Sequence, residues 1–310
     1  VQGLRAILPP TQLTVIVNTG DDILWWGLHV SPDIDSVLYG LAGLLSRDRG
    51  WGMEDESFRC LERMKQLGQP ALFSLGDLDL ATHLTRTLLL HEGKSLTMAT
   101  AELARRLGIA TRVLPMSDDR VSTLVETAKG ILGFQEYFVR ERHQIAVHAV
   151  RFEGVEAARP APGVLEAIAQ AEAIVFAPSN PVTSIGPMLA VPGIRDALRR
   201  TPAPIAAISP IVGGAAVSGP ASDLMRMMGW ESSFIGIAEA YADFLDVLVA
   251  DDADASEAAQ FPGRDLRVMC TNTLMRSMDD KSRLAQFTLD AIVTLEAIAE
   301  KRAGATDEVQ

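Results

Sequence analysis

This sequence has little cysteine, no long apolar run and no surplus of positive charge, and each lack removes a class of function. Its 310 residues include only Cys60 and Cys270, too few for a disulfide framework and without the paired spacing of a cysteine metal site. A reducing cytoplasm is the setting this implies. No apolar run is long enough to cross a bilayer, so no membrane partner is expected. Lys and Arg number 28 against 40 Asp and Glu. A net charge of −12 argues against nucleic-acid binding, which needs a basic face. The phosphate-loop signature, the Gly-rich dinucleotide fingerprint and the G-x-S-x-G elbow are all missing. No basic, apolar leader opens the chain, which begins at Val1 rather than Met, so a natural start upstream is expected.

What is present is an ordinary core composition, 48% hydrophobic, arranged as short apolar runs between amphipathic segments. Residues 13–17 (LTVIV), 71–75, 111–114, 173–177 (AIVFA), 205–208, 245–250 and 267–270 read as strands. Helical spacing predicts helices over 35–45, 54–67, 81–91, 95–107 and 280–299, with Ser95 as an N-cap and Gly68 and Gly108 as stops. The polar residues 301–310 are expected to fray. Strands alternating with helices imply a mostly parallel sheet with crossover helices on its faces, read as one α/β domain over 1–310. Residues 120–163 break the rhythm, with a helical stretch around Phe134, Tyr137 and Phe138 and then an apparent strand near 145–152, and are expected to form a mainly helical insertion that covers the active site.

In such a sheet the carboxyl ends of the strands share one edge, and ligands bind there. The polar turns fall at those ends. Asn18-Thr19-Gly20-Asp21-Asp22 follows the first strand, and Asp33 and Asp35 lie at the next helix start. Asp22 and Asp35 could share Mg²⁺, which one or two carboxylates commonly hold. From spacing alone Asp33 can equally be a cap, and Asp21 and Asp22 solvated turn residues. Asp77, Asp79, His83 and Arg86 could line one rim and bind or deprotonate a hydroxyl, or be a capped helix with a surface Arg and a half-buried His. Ser117-Asp118-Asp119 closes the third strand. Residues 179–187 (SNPVTSIGP) combine small side chains, several donors and a helix start, which suits an anion. Ser209 to Gly214 would do similar work. Trp25, Trp26, Trp51, Phe134 and Tyr137 offer surfaces to a flat ring, or are core.

Together these turns resemble the 2-phospho-lactate transferase family of deazaflavin coenzyme F-420 biosynthesis. The segments that carry the resemblance are VIVNTGDD, SPDID, RGWG, GDLDLATHLTR, LPMSDDRVST, APSNPVTSIGP, AVPGIR and ISPIVGG, in order from residue 15 to 214, followed by GPASDLM and AEAYADFLDVLVAD. The resemblance implies a doubly wound, Rossmann-like sheet with helices on both faces, Mg²⁺ as cofactor, and a homodimer. It implies a donor of guanosine diphosphate joined to a small acid, and a deazaflavin ribityl hydroxyl as acceptor, with GMP released. The residues expected to act are Asp22, Asp35, Asp77 and His83, with Asp22 and Asp35 on the metal. Substrate contacts are expected from Asn18, Thr19, Asp118, Asp119, Ser179, Asn180, Pro181, Ser184, Gly186, Ser209 and Gly213. The family often carries Arg where Leu78 stands, so one guanidinium contact is lost here, and it has a strand and Gly-rich turn ahead of the position of Val1. The alternatives are a regulator of the same fold that binds a nucleotide-sugar without catalysis, and a nucleotide-dependent kinase, which lacks its usual lysine here.

Overall fold

The computed structural model describes residues 1–262 and 266–307, with side chains described as far as Thr294. In chain order the first elements are α1 (Gln2–Ile7), β1 (Thr14–Val17), β2 (Ile23–Trp25), β3 (Leu28–Val30), α2 (Pro32–Ala42), α3 (Arg59–Gln66), α4 (Asp77–His91) and α5 (Leu96–Arg106). Then come β4 (Arg112–Pro115), β5 (Ser122–Thr127), β6 (Gly130–Gly133), β7 (Val147–Glu153), α6 (Val164–Ala169), β8 (Ile174–Phe176), α7 (Ile185–Ala190) and α8 (Ile194–Arg200). The last are β9 (Ile205–Ile208), β10 (Ile211–Val212), β11 (Ala215–Ala216), α9 (Ala221–Met227), α10 (Phe234–Ala240), β12 (Val247–Asp251), α11 (Ala255–Ala258), β13 (Arg267–Thr271) and α12 (Met278–Asp307).

The described residues cluster into two compact units, one built mainly from residues 8–165 and 182–195, the other from 2–7, 166–181 and 196 onward. In the first, β1 and β4 pair in parallel, Thr14 opposite Arg112 and Val17 opposite Pro115. Val17, Val113, Leu38, Tyr39 and Leu103 bury the contact of this pair with α2 and α5. Ser95 caps α5 by accepting from the Met98 amide at 3.3 Å, and Gly68 and Gly108 follow their helices with left-handed φ of 78° and 71°. In the second unit β13-β12-β9-β8 form a four-stranded parallel sheet. Its inner strands β9 and β12 are nearly continuous apolar runs, and Val247, Val249, Ala206 and Ile208 pack under Leu284 and Ile292 of α12. The parallel sheets, alternating with helices, give the expected α/β, Rossmann-like class.

Three expectations change. Residues 71–75 are not a strand. The run is apolar because Phe73 and Leu75 pack on Trp25, Trp26 and Leu80, and it has no ladder partner. Residues 120–163 are framed by an antiparallel sheet, β6-β5-β7, in which β7 meets the strand expected near 145–152, and the helical parts are short turns over Glu136–Arg140 and Val155–Ala157. Alternation along β5, with Thr123, Val125 and Thr127 buried, carries that sheet. The terminal helix runs to Asp307, past residue 301, where polarity predicts fraying; residues 308–310 lie outside the described residues.

Candidate functional site

A tight hairpin presents the first carboxylate. Trp26 (φ 52°) and Gly27 (φ 78°) form the two-residue turn between β2 and β3, both left-handed as a type I′ turn requires. Ile23 pairs with Val30, so Asp22 and Ser31 meet one step further along. Ser31 Oγ donates to Asp22 Oδ2 at 2.6 Å, and His29 Nε2 lies 2.9 Å from the same oxygen. Asp22 Oδ1 is buried without a hydrogen-bond partner. Burial pushes this carboxyl upward, against the hydrogen bond and charge of His29.

Asn18, at the end of β1, organises the neighbouring acids. Its Nδ2 donates to Asp33 Oδ2 at 2.9 Å, Asp21 Oδ2 at 3.3 Å and the Thr183 carbonyl at 3.4 Å. Its Oδ1 accepts from the Gly20 amide at 2.8 Å. Asp33 is pushed up to about 6 by burial, with the Asn18 bond opposing and the charges of Asp22 and Asp35 adding. Asp21 is also raised well above its ordinary value, by burial and then by Asp33, and its Oδ1 has no partner. Gly20 is required here: a Cβ would lie 2.7 Å from Thr123 Oγ1 and 3.0 Å from both Asn18 Oδ1 and Pro187 Cβ.

Asp35 occupies a different environment. It faces inward from the first turn of α2 and is clamped by Arg86 of α4, through Nη2 to Oδ1 and through Nη1 to Oδ2 at 3.2 Å. Arg86 is fully buried, so neither the rim nor the surface position expected of it holds. Its place between α2 and β3 explains this, because Nη1 also donates to the His29 carbonyl at 3.3 Å. His83, one turn earlier on α4, is buried between Asp35 (Nδ1, 3.4 Å) and Asp79 (Nε2, 3.4 Å). Tyr39 donates to Asp79 Oδ1 at 2.5 Å. Burial raises Asp79, but the hydrogen bond and charge of His83, with Tyr39 and Arg86, outweigh it and hold the carboxyl below its ordinary value.

Several other expected site residues hold structure together. Asp77 accepts from Ser57 Oγ at 2.5 Å and from the Cys60 and Arg59 amides at 2.9 and 3.1 Å, which caps α3 and lowers its pKa. Asp118 binds the Thr97 amide and hydroxyl at the start of α5, at 2.7 and 2.8 Å. Asp119 accepts from the Arg159 amide at 2.9 Å. Thr19 is buried with its Oγ1 unpartnered. Ser184 precedes α7 without capping it, and Gly186 and Pro187 lie in that helix. Trp25 packs on Trp26 and Phe73 at 6.0 and 6.3 Å, and Trp51 is exposed beneath Arg49.

In the second unit Ser179, Asn180 and Pro181 follow β8, the strand-end context expected of them. Ser209 Oγ is engaged by Ile211 within its own turn, donating to that carbonyl at 2.9 Å. The Gly213 amide donates to Asp254 Oδ1 at 3.0 Å. Asp254 is raised by burial, while Asp251 is held low: burial opposes, but the Ala253 amide and the Thr273 amide and hydroxyl prevail.

Sequence reasoning missed His29, Ser31 and Tyr39 as partners of the acids. A hairpin reading of Trp26-Gly27 would have paired Asp22 with Ser31, but Trp is not a usual first residue of that turn. Asp35, Asp79 and His83 bring ligand atoms within 4.8 Å of one another. A cation there would meet the Arg86 charge that already compensates Asp35. Among the described residues that trio is the group of three whose ligand atoms converge closely enough to hold an ion, while Asp21 and Asp22 each leave one buried oxygen without a partner.

The profile of the 2-phospho-L-lactate transferase CofD family matches residues 1–282. A 2-phospho-L-lactate transferase of Methanosarcina mazei is 43% identical over 291 residues, 94% of this chain and 95% of that protein. A phosphoenolpyruvate transferase of Streptomyces griseus is 42% identical over 296 residues, 94% and 93% of the two chains. The crystal structure of a UPF0052-family protein from Bacillus halodurans superposes with a TM-score of 0.59 at 18% identity, covering 93% of each chain, a likeness of fold. By sequence along nearly its whole length, this chain belongs to the 2-phospho-L-lactate transferase CofD family.

Proposed function

We propose that this chain transfers a phospho-acid group, phospholactyl, phosphoenolpyruvyl or similar, from a guanosine-diphosphate-activated donor to the ribityl hydroxyl of a deazaflavin, releasing GMP. The observation that carries the reading is the buried acidic cluster around Asn18, with free oxygens on Asp21 and Asp22, in a chain of this family. Mg²⁺ bound by Asp22, with Asp21 and Asp33 beside it, would neutralise charge on the donor's diphosphate and align it. Asp35, first expected as the second ligand, fits that place less well, because Arg86 engages both its oxygens. Its part is to hold α2 and α4 in register behind the acids. His83 is enclosed by Asp35 and Asp79 with its Nε2 left without a hydrogen-bond partner, and its part is to orient that buried network.

The hydroxyl proton would pass to a carboxylate of the acidic turn that the ion leaves free, Asp21 or Asp33, both held in place by the Asn18 amide. Ser179, Asn180 and Pro181 suit the donor's phosphates or sugar, since backbone and amide donors stabilise anions. The 120–163 segment covers the acidic turn, which its residues Ser122, Thr123 and Phe134 border. A homodimer working in the cytoplasm completes the reading. Mixing the protein with deazaflavin, activated donor and Mg²⁺ tests it: formation of GMP and a phosphodiester product is expected. Binding of the nucleotide without turnover would favour a non-catalytic regulator. Asn180→Ala should weaken GDP binding about tenfold to a hundredfold, the scale of a lost charge-assisted hydrogen bond.

A further inference from the structure

Ser31 stands at the N-cap of α2, where a serine hydroxyl ordinarily accepts from an amide of the first helical turn. Here it makes no such bond and donates instead to Asp22 Oδ2 at 2.6 Å. The helix start thus forgoes a capping contact in favour of a carboxylate outside it. His29 Nε2 holds the same oxygen from 2.9 Å, and the backbone of His29 is tied to α4 on both sides. Its amide donates to Thr87 Oγ1 at 2.8 Å, and its carbonyl accepts from Arg86 Nη1 at 3.3 Å. The imidazole is therefore aimed from a fixed strand. The hairpin sets the register: Leu24 lies opposite His29, and Trp26, in the left-handed turn, donates Nε1 to the Pro70 carbonyl at 2.9 Å. A slip of one residue would carry both side chains away from Asp22. With Oδ2 held twice, Oδ1 is the remaining oxygen of Asp22, buried and without a hydrogen-bond partner.

We propose that His29 and Ser31 are positioning residues that hold Asp22 by one oxygen and so present the other to a divalent ion. The inference rests on the metal-assisted transferase reading above. Carboxylates that bind metals are themselves hydrogen-bonded, and loss of such an outer partner costs about tenfold to a hundredfold in metal affinity. Both residues act through Asp22, whose orientation they fix before any ion arrives.

Mn²⁺, which suits the same oxygen ligands as Mg²⁺, serves as the probe, because the spin-resonance signal of the free ion is lost on binding. It is titrated into the full chain without nucleotide. Ser31→Ala and His29→Leu should each weaken Mn²⁺ binding about tenfold to a hundredfold. His29→Gln, whose amide can donate to the same oxygen, should stay within about threefold of the parent, a rescue that a space-filling role would not give. Ser57→Ala removes the hydroxyl that donates to Asp77, outside the acidic turn, and should leave Mn²⁺ affinity unchanged. Circular dichroism in chelator checks that each variant is folded; if Ser31→Ala is not, the comparison of His29→Leu with His29→Gln decides. Parent-like Mn²⁺ affinity in the folded variants, or equal losses in His29→Leu and His29→Gln, overturns the positioning role. A parent that takes up no Mn²⁺, or uptake that survives Asp22→Asn, overturns the metal reading of the acidic turn instead.

Discussion

Replacing Arg86 by Met removes a buried cation from the centre of the first unit and leaves its partners in place. Arg86 is 0% exposed, engages both oxygens of Asp35 and reaches the His29 carbonyl. In Arg86→Met, Asp35 stays buried with His83 at 3.4 Å as its remaining ionic neighbour. Breaking one side of a buried pair costs about 3–5 kcal/mol, mostly because the other charge is left uncompensated. At about 2–4 °C per kcal/mol for units of 150–250 residues, the melting temperature should fall by roughly 6–20 °C. Circular dichroism and urea titration would measure it. Asp35→Leu should cost a similar amount, since it strands the guanidinium. The double variant Asp35→Leu/Arg86→Met should be more stable than the sum of the two losses predicts, because no buried charge is left alone. A single Arg86→Met loss below about 1 kcal/mol, or strict additivity in the double variant, would refute the claim that this pair locks α4 to α2.

Other outcomes follow from the same geometry. Asp33 has a native pKa of about 6 against an ordinary unfolded value of about 3.9, so the native state binds the extra proton between them. Its ionisation therefore opposes folding at neutral pH, and that penalty, of order 3 kcal/mol, is relieved as pH falls from about 6.5 to 4. In metal-free protein Asp33→Asn should flatten this part of the stability–pH curve and raise stability most at pH 7–8; an unchanged curve would place the titration elsewhere. Mg²⁺ should stabilise the parent more at pH 7.5 than at pH 5, where protons compete, as thermal melts with and without chelator would show. Gly76→Ala would put a Cβ 1.9 Å from the Glu56 carboxyl carbon, and the oxygens of that carboxylate now cap α4 by accepting from the Leu78 and Asp79 amides at 2.7 and 3.1 Å. Loss of that cap should cost about 0.5–2 kcal/mol in urea titration. Gly20→Ala should lose about 1–3 kcal/mol from crowding, and adding Thr123→Ala should recover part of it, since Thr123 Oγ1 is the nearest obstacle; no recovery would point to Asn18 instead.

The sequence by itself determined the parts of this protein that depend on local pattern. The apolar runs at 13–17 and 205–208 became β1 and β9 because β-branched and small apolar residues, flanked by polar turns, have no better use than buried parallel strands. Ser95, Gly68 and Gly108 marked helix ends because capping is a contact within one turn. The order of the acidic turns likewise announced the family. Where local pattern was ambiguous, only the tertiary structure decided. Residues 71–75 read as a strand, yet an apolar run says only that it will be buried, and Phe73 found Trp25 rather than a ladder. Asp22 and Asp35 look alike in sequence, each an acid beside an element end. One keeps a free oxygen among other carboxylates, and the other is neutralised by Arg86 from 51 residues away. That difference is set by which charge lies within a few ångströms, and long-range packing alone brings such charges together.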